Sequence, residues 1–447
     1  MKPVTESALL TDLYQLSMVQ AYLDAGMTET AVFEMFVRKL PKGRNFLLAA
    51  GLEQVLAHLE ALSFTQAEIA WFERAGGFNR RFLDYLAGFR FTGDVHAIPE
   101  GTPFFPDEPI IRVTAPIMQA QIAETRVINL LNLETIVASK AARSVLAAPG
   151  KFLVDFGLRR AHGAEAGLLA ARAAYIAGFD GSSTVLAGAR FGIPVYGTMA
   201  HSFIQAHQTE REAFTDFALS RPRDVTFLLD TYDTEAAARK LVEIAPGLKA
   251  RGVTIRSVRL DSGDLAALAF AVRAILDAGG LKEVGIFASG GLDELELARM
   301  FAAGAPIDGF GVGTALVVSA DAPALDCAYK LQEYAGQPRR KRSSGKATWP
   351  GRKQVYRSYD GNGRMLRDVL TVEGDPQSGE PLVTQVMAAG ERTWPAEPLD
   401  AVRARVRREI GRLPERLKNL EDCATPMPVE VAPALRALAD AVDRVAR

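Results

Sequence analysis

The sequence predicts an α/β protein whose central part forms an irregular or incomplete (β/α) barrel. Short apolar runs of four to six residues recur between Phe152 and Val312. Helix-like segments separate most of these runs, a pattern typical of a parallel sheet covered on both faces. Polar and glycine-rich residues directly follow the runs, as in barrel enzymes, where the loops after the strands converge on one mouth.

The composition is that of a globular protein and excludes several other classes. The chain has 447 residues, 48% of them hydrophobic and 23% charged, so a disordered chain or a coiled-coil rod is excluded. This length exceeds what one hydrophobic core usually serves, which favours two or three domains. The 52 basic and 53 acidic residues nearly cancel, so we expect neither nucleic acid nor a membrane as a partner.

The cellular location is predicted from sequence features of three kinds. Residues 1–6 lack the apolar core of a signal peptide, and no uncharged apolar run approaches the ~18–20 residues that span a bilayer. Cys327 and Cys423 do not form a Cys-x-x-Cys pair, and two cysteines are too few for a disulfide framework. We therefore expect a cytoplasmic protein with reduced thiols.

Residues 1–118 are predicted to form an N-terminal α/β domain. Thr11-Asp12 is suited to cap a helix that stops near Gly26, and residues 31–37 have the pattern of a strand. The remaining elements of this domain are expected to be helices at about 51–62, 65–74 and 79–87 and a β-rich module at 93–116.

Residues 119–320 are predicted to form the barrel domain, which carries the active site. A long helical pattern runs from Gln119 to about Ala147. The predicted strands follow at 152–156, 193–197, 225–229, 255–260, 284–288 and 309–312, with helices at about 165–177, 201–218, 235–245, 264–278 and 293–303. Because six strands are visible where a complete barrel has eight, the barrel is predicted to be irregular or incomplete.

Residues 321–447 are predicted to form a separate C-terminal segment. The sequence becomes turn-rich and carries two basic clusters, at 339–342 and 352–353, before a charged helical pattern that begins at about Leu399. We expect this segment to pack back on the N-terminal domain and complete it.

Two glycine-rich segments follow the last two predicted strands. Glycines there let backbone N–H groups approach a phosphate, and a helix beginning near Asp293 would add its positive N-terminal dipole. The alternative is that these are tight turns that need glycine for their backbone geometry. Their place in the barrel favours a phosphate site built from Ser289, Gly290, Gly291, Gly311, Gly313 and Thr314.

Charged residues also mark the end of the fourth predicted strand. Asp261 at this strand end could hold Mg²⁺ or bond to ribose hydroxyls, and Arg259 beside it could pair with a phosphate. Asp264 is expected to cap the next helix instead.

Two of the five histidines, His162 and His201, fall at strand ends. No pair of histidines has metal-ligand spacing with a third ligand nearby, so a zinc site is not expected. A lone histidine at a barrel mouth suits acid–base or phosphoryl-acceptor chemistry.

Five segments stand out by their residue order: LLTDLYQLSM (9–18), FGLRRAHGAEAGLLAARAAYIAGFDGSSTVLAG (156–188), GIPVYGTMAHSFIQAH (192–207), VRLDSGDL (258–265) and GVGTAL (311–316). Together they resemble the nicotinate phosphoribosyltransferases, which have the type II phosphoribosyltransferase fold. The resemblance extends from about residue 5 past SSGKATWPGRKQVYR (343–357). It implies an ATP-coupled, Mg²⁺-assisted condensation of nicotinate with phosphoribosyl pyrophosphate, giving nicotinate mononucleotide and pyrophosphate. It also implies a homodimer with shared active sites.

The resemblance implies roles for individual residues. His201 matches the histidine that accepts a phosphoryl group from ATP, and an imidazole nitrogen is a competent acceptor. Arg159 and Phe156 match the groups that hold the pyridine carboxylate and ring. Tyr14 matches an aromatic residue donated by the partner subunit, although the residues alone would equally suit a core tyrosine.

Three further positions are assigned by the same resemblance. Arg259 and Asp261 match the contacts to ribose and pyrophosphate, with Asp261 as the candidate Mg²⁺ ligand. Ser183 stands where nicotinamide-using relatives carry an aspartate, and a hydroxyl that can donate to a carboxylate favours nicotinate. Three alternatives stay open at this point: a quinolinate phosphoribosyltransferase, a sugar-phosphate isomerase or lyase, and a nucleotide-binding regulator.

Overall fold

The computed structural model describes residues 7–343 and 345–445 and has a mixed α/β architecture. The predicted N-terminal domain includes residues 1–6, which lie outside the described residues. The chain divides into two compact units, the first comprising Met1–Ser139 with Ala322–Arg447 and the second Lys140–Asp321. Over the described ranges, none of the helices combines the length and apolar character needed to cross a membrane.

The helices are numbered along the chain. They are α1 (Leu13–Asp24), α2 (Leu52–Ala61), α3 (Gln66–Ala75), α4 (Arg80–Ala87), α5 (Ile117–Ala147), α6 (Ala164–Ala177), α7 (Val185–Phe191), α8 (His201–Gln205), α9 (Glu210–Ser220), α10 (Thr234–Ala250), α11 (Leu265–Ala278), α12 (Glu294–Ala302), α13 (Thr314–Val317), α14 (Leu399–Arg412) and α15 (Pro433–Val445).

The strands are numbered in the same way. They are β1 (Thr30–Val37), β2 (Leu47–Leu48), β3 (Asp94–Ala97), β4 (Pro103–Phe104), β5 (Ile111–Pro116), β6 (Phe152–Asp155), β7 (Gly181–Ser182), β8 (Val225–Leu228), β9 (Ile255–Leu260), β10 (Gly285–Ser289), β11 (Gly309–Val312), β12 (Cys327–Tyr334), β13 (Gln337–Pro338), β14 (Lys353–Tyr359), β15 (Met365–Val372), β16 (Glu380–Pro381), β17 (Thr384–Ala388), β18 (Glu391–Arg392) and β19 (Val429–Val431).

The first unit is built around a seven-stranded sheet to which both ends of the chain contribute. Its strand order is β13-β12-β1-β5-β3-β17-β18. Strand β1 lies between β12 and β5, pairs antiparallel with both, and is buried at every residue after Thr30. Strands β14, β15, β16 and β19 form a second sheet of four strands in this unit.

The second unit contains a curled parallel sheet that forms a half-barrel. Its strand order is β7-β6-β11-β10-β9-β8, and the register pairs Phe152 with Gly309 and Asp155 with Val312. Among the described residues, β7 and β8 are the edge strands, so the hydrogen-bonded sheet stays open. Since all six strands run in the same direction, their carboxyl ends lie along one edge.

One predicted strand, 193–197, is wrong. The strand that follows β6 in the chain is β7, at Gly181–Ser182. The 193–197 segment lies beside β7 and forms one isolated β-bridge with it, between Val195 and Ser182. Pro194 lacks the N–H that a continuous strand would use, although its carbonyl accepts a hydrogen bond from the Ser182 amide at 3.1 Å. An apolar run was therefore mistaken for a strand.

The predicted helix 201–218 is two helices in the structure, α8 and α9. Thr209 begins the second helix with a capping box, in which its side chain accepts from the Glu212 amide and the Glu212 carboxylate accepts from the Thr209 amide. The first helix, which begins at His201, is therefore short and ends at Gln205.

A buried ion cluster anchors α12, the helix that follows strand β10. The Glu294 carboxylate accepts from Arg143 Nε at 2.8 Å and lies 2.6 Å from Lys140 Nζ, which also lies 2.7 Å from Asp321 Oδ1. Burial raises the pKa of Glu294, but Lys140 and Arg143 lower it more, so that it lies below its ordinary value of 4.5. The end of α5 and the start of α12 thus meet at the Glu294 carboxylate, and Lys140 extends the cluster to Asp321.

We predict that Glu294→Gln destabilises the protein by about 3 kcal/mol at neutral pH, because two buried cations lose their common partner. Since the pKa of Glu294 is lowered by folding, this contribution is present above 4.5 and is lost as the pH falls through the folded value. Urea unfolding between pH 3 and 7 measures the effect.

The matched control is Glu296→Gln on the same helix, which breaks only an exposed pair with Arg299 and should cost less than about 0.5 kcal/mol. Equal losses in the two variants would contradict the prediction.

Candidate active site

A cavity of about 390 Å³ lies at the carboxyl edge of the parallel sheet, where a barrel enzyme carries its active site. The loops after β6, β9, β10 and β11 form its wall. The lining residues are Phe156, Arg159, Arg160, Arg259, Asp261, Ser289, Gly290, Gly291, Leu292, Gly311, Gly313, Thr314, Ala315 and Ala320. The structure therefore brings most of the predicted site residues together.

Arg259 connects the ends of β9 and β10 with the segment that contains Thr198. Its Nε donates to Ser289 Oγ at 2.7 Å, one Nη donates to Thr198 Oγ1 at 2.9 Å, and the other donates to Asp261 Oδ1 at 2.7 Å. The guanidinium also lies over the Phe156 ring, 5.4 Å from its centroid. The guanidinium is planar and its N–H groups point in fixed directions. It can therefore bind these partners at the same time only when each of them is held in position.

Asp261 is held as an ionised carboxylate beside His201. Burial raises the pKa of Asp261, but the hydrogen bond from Ser289 and the charge of Arg259 lower it more, so that the pKa lies below its ordinary value. His201 Nε2 is 3.7 Å from Asp261 Oδ2, and His201 Nδ1 lies 3.1 Å from Thr231 Oγ1. The imidazole thus stands at the mouth of the sheet between a carboxylate and a hydroxyl.

The loop after β10 requires glycine at position 290. Gly290 has a φ of +96°, and a Cβ there would lie 1.9 Å from the carbonyl oxygen of Asp261. The backbone of this loop therefore passes directly against the end of β9. The helix expected near Asp293 is α12, and its Leu295 and Glu296 amides donate to the Asp293 carboxylate. Any anion here must use the loop amides before this helix.

We predict that Gly290→Ala lowers stability by several kcal/mol, because the new methyl group overlaps the Asp261 carbonyl. Gly304→Ala is the matched control, since Gly304 also has a positive φ, of +65°, but no atom within 4 Å of its added Cβ. The control should lose only about 1 kcal/mol in urea unfolding. The same loss in both variants would show that the close approach does not matter.

Arg159 and Ser183 lie at the ends of the neighbouring strands β6 and β7. Arg159 is exposed and lines the cavity, and it has no ion-pair partner within residues 7–343 and 345–445. Ser183 follows β7, and its amide donates to the Asp155 carbonyl at 2.8 Å. Ser183 is not among the residues that line the cavity.

Tyr14 belongs to the first unit. Its hydroxyl donates to Glu124 Oε1 at 3.2 Å, and the residue is 49% exposed on α1. Burial of the hydroxyl and the charge of Glu124 raise the pKa of Tyr14 to about 12. Asp12, the predicted cap of α1, does not cap it through its side chain, which accepts from Thr125 at 2.9 Å.

Residues without a role in the sequence analysis also belong to this site. Thr198 holds Arg259, Thr231 holds His201, and Asp230 accepts a hydrogen bond from Ser262. The sequence signal for all three was their position directly after an apolar run. As predicted, Asp264 caps α11, with its carboxylate accepting from the Ala267 amide.

The donor set at this edge fits Mg²⁺ only as a site completed by a substrate. Within the described part of the chain, no three His, Cys, Asp or Glu side chains group as metal ligands. Asp261 Oδ2 faces His201 without a hydrogen bond, and Asp230 Oδ1 is buried without a hydrogen-bond partner among the described residues. Mg²⁺ commonly binds one or two carboxylates together with substrate phosphates and water, so the residues fit such an ion.

A second cavity, of about 810 Å³, opens at the amino ends of the same strands. Phe152, Thr226, Ser257 and Gly285 are among its lining residues, and Phe156 borders both cavities. This cavity is the larger of the two, but the loops that carry the charged residues and the glycines meet at the carboxyl edge of the sheet. The position of these groups, and not cavity size, identifies the candidate active site.

A parallel half-barrel with arginines and glycine loops at its carboxyl edge defines an α/β-barrel enzyme suited to an anionic substrate. Two family models match the sequence: the nicotinate phosphoribosyltransferase N-terminal domain at residues 9–132 and the nicotinate phosphoribosyltransferase family at residues 152–341. The chain belongs to the nicotinate phosphoribosyltransferase family, which confirms the resemblance found in the sequence.

Individual relatives agree with this assignment. The chain is 50% identical over 426 residues to nicotinate phosphoribosyltransferase pncB2 of Mycobacterium tuberculosis, covering 95% of this chain and 91% of the relative. The human nicotinic acid phosphoribosyltransferase structure matches with a TM-score of 0.87 at 30% identity, covering 97% of this chain and 99% of that one. A nicotinate-nucleotide pyrophosphorylase structure from Pyrococcus furiosus matches with a TM-score of 0.74 at 26% identity, covering 92% and 97%.

These similarities establish the activity class. The protein is an enzyme with nicotinate phosphoribosyltransferase function in NAD salvage. The sugar-phosphate isomerase and the regulator without enzyme activity are thereby excluded as alternatives.

Proposed function

We propose that this enzyme transfers phosphoribose from phosphoribosyl pyrophosphate to nicotinate at the Arg259–Asp261–His201 edge, with coupling to ATP through His201. The observation that carries the proposal is the convergence of Arg259 and Asp261 with two glycine loops on one cavity wall, with His201 Nε2 3.7 Å from Asp261 Oδ2. The C1–oxygen bond of the ribose breaks, and pyrophosphate leaves with the electron pair. A bond forms from the pyridine nitrogen to C1, and this nitrogen has no proton to lose.

The loops after β10 and β11 are suited to the 5′-phosphate of the sugar. Their backbone amides can approach an anion closely because glycines occupy the tightest positions. The proposed phosphate contacts are Ser289, Gly290, Gly291, Gly311, Gly313 and Thr314.

Arg259 and Asp261 are proposed to contact the ribose and the pyrophosphate. The protein holds the Arg259 guanidinium with three hydrogen bonds of 2.7–2.9 Å and a longer one of 3.5 Å to the Met199 carbonyl, which fixes the direction of the cation toward the leaving group. A preorganised cation lowers the barrier because it need not reorient as charge develops on pyrophosphate. If Mg²⁺ binds, Asp261 and Asp230 are the residues that would hold it, and it would neutralise pyrophosphate charge.

Arg159, Phe156 and Ser183 are proposed to recognise nicotinate. The Arg159 guanidinium, which has no carboxylate partner in the described ranges, is available to the carboxylate of the substrate. Phe156 offers a ring face near it, and the Ser183 hydroxyl can donate to a carboxylate where an aspartate would repel it.

The protein is proposed to act as a homodimer in which Tyr14 of one subunit reaches the site of the other. Exposed apolar side chains support this proposal because they occur both next to Tyr14 and next to Ser183. On and beside α1, Leu13 is 68% exposed, and beside the candidate site Val185 and Leu186 are 74% and 57% exposed. The cytoplasmic location expected from the sequence stays a prediction.

The direct experiment is an assay for nicotinate mononucleotide with phosphoribosyl pyrophosphate and nicotinate, nicotinamide or quinolinate in turn. Nicotinate should be by far the best acceptor, and quinolinate should give no product. Turnover of quinolinate alone would replace the proposal with the quinolinate alternative.

We predict that Arg159→Ala raises KM for nicotinate by more than tenfold and leaves KM for phosphoribosyl pyrophosphate nearly unchanged. Losing a charge-assisted pair in a closed pocket costs about 2–4 kcal/mol. Arg190→Ala, an exposed arginine on α7 away from the lining residues, is the control and should change neither constant. An unchanged KM for nicotinate in Arg159→Ala would remove Arg159 from the site.

We predict that wild-type protein incubated with γ-labelled ATP carries acid-labile, base-stable label and that His201→Asn carries none. His162→Asn, at the exposed loop after β6, is the matched control and should still be labelled. Because the pyridine nitrogen needs no base, His201→Asn should keep some ATP-independent synthesis and lose ATP stimulation. Equal stimulation by ATP in His201→Asn and wild type would refute the phosphohistidine.

A further inference from the structure

A buried carboxylate at the end of β6 connects the two strand ends that carry Arg159 and Ser183. Asp155 is only 1% exposed. Its Oδ1 accepts from the Gly157 amide at 2.8 Å, and its Oδ2 accepts from the Ser182 hydroxyl at 2.7 Å. Both side-chain oxygens are therefore committed to neighbouring loops within the second unit.

The main chain reinforces the same connection. The carbonyl of Asp155 accepts from the Ser183 amide at 2.8 Å, and Ser182 Oγ accepts from the Thr184 amide at 2.9 Å. Hence the hydroxyl that donates to Asp155 also fixes the turn that leads into α7. These bonds fix the backbone position of Ser183.

On the β6 side, neighbouring atoms enclose the loop that contains Gly157, so this loop cannot move independently of Asp155. A Cβ on Gly157 would lie 2.6 Å from the Val317 Cβ and 3.0 Å from Asp155 Oδ1, so the backbone is enclosed on both sides. The Phe156 amide donates to the Val312 carbonyl at 2.8 Å. Arg159 lies two residues after Gly157, so this turn sets the position of its backbone.

The chemistry of the cluster calls for a group that only accepts hydrogen bonds. Both partners of the Asp155 side chain, an N–H and an O–H, are donors, and an ionised carboxylate accepts from both. An asparagine would turn an NH₂ group toward one of them and leave a buried donor unpaired. Burial raises the pKa of Asp155 above its ordinary value, and the hydrogen bonds from Ser182 and Gly157 offset only part of this rise.

We propose that Asp155 is a positioning residue that holds Arg159 and Ser183 in the relative arrangement needed to bind a pyridine carboxylate in preference to a carboxamide. Asp155 does not line the cavity and acts through the two loops. This inference rests on the proposed nicotinate-binding role of Arg159 and Ser183.

Asp180 provides a matched control in the same pair of strands. Its Oδ2 accepts from the Leu153 amide at 2.8 Å, so it too is an aspartate that ties a backbone amide of β6. It acts, however, nearer the amino end of β6, away from the two loops. Asp180→Asn therefore replaces the carboxylate acceptor of a β6 amide by a weaker amide oxygen without touching the proposed arrangement.

The experiment compares Asp155→Asn and Asp180→Asn in the nicotinate mononucleotide assay and in thermal unfolding. Asp155→Asn should raise KM for nicotinate about tenfold, leave KM for phosphoribosyl pyrophosphate within about twofold, and reduce the preference for nicotinate over nicotinamide. Asp180→Asn should lower Tm and leave both Michaelis constants in place. Parallel changes in both Michaelis constants, or the same pattern in both variants, would overturn the proposal.

If Asp155→Asn does not fold, Ser182→Ala decides the question, since it removes one of the two side-chain hydrogen bonds. It should raise KM for nicotinate several-fold and selectively, and an unchanged KM would overturn the proposal. Failure of the proposed roles of Arg159 and Ser183 gives a different result, because Arg159→Ala would then leave KM for nicotinate unchanged while Asp155→Asn is still compared with its own control.

Discussion

The fork of hydrogen bonds around Arg259 is the interaction on which the candidate site depends. It joins Thr198, Ser289 and Asp261, which come from three separate segments of the chain, through one planar cation. The same interaction keeps Asp261 ionised and therefore sets the charge that faces His201. Replacing Arg259 would break all three hydrogen bonds at once. The Asp261 carboxylate would lose its paired cation, and the Thr198 and Ser289 hydroxyls would lose the donor that orients them.

Close backbone packing is the second constraint, and it explains why the site is lined by glycine. A side chain at Gly311 would meet the Phe156 ring at 2.5 Å, and one at Gly290 would meet the Asp261 carbonyl. The strands are thus close enough that space for a ligand exists only where side chains are missing. The glycines at these positions serve both the tight packing of the strands and the binding of a ligand. Such loops therefore tolerate little change in sequence.

Much of the fold could be predicted from the sequence because parallel strands buried on both faces read as continuous apolar runs. Strands β6, β8, β9, β10 and β11 were found in this way. Strand β7 was missed because its two residues, Gly181 and Ser182, are small and have no apolar signal. The 193–197 run was overinterpreted, since apolar character does not reveal the missing amide of Pro194.

The candidate site could be predicted only as a set of loops at one edge. That His201 faces Asp261, or that Thr231 supports the imidazole, depends on rotamers and loop paths that no residue pattern specifies. Arg159, Tyr14 and Ser183 came from the family resemblance, and spacing alone did not identify them. Asp155 was overlooked because a buried aspartate looks the same in sequence whether it binds a ligand or supports a loop.

The sheet of the first unit has a consequence for how the protein is made. Strand β1 pairs with β12, whose first residue is Cys327, so the two are separated by the whole second unit in the order of synthesis. At ribosomal rates of about 5–20 residues per second, the edge of β1 that does not pair with β5 waits roughly 15–60 s before β12 emerges. The half-barrel has all its strands available before then and can fold on the ribosome first. During that interval the apolar β1 strand needs protection, so chaperone demand should be concentrated on the amino-terminal third of the nascent chain.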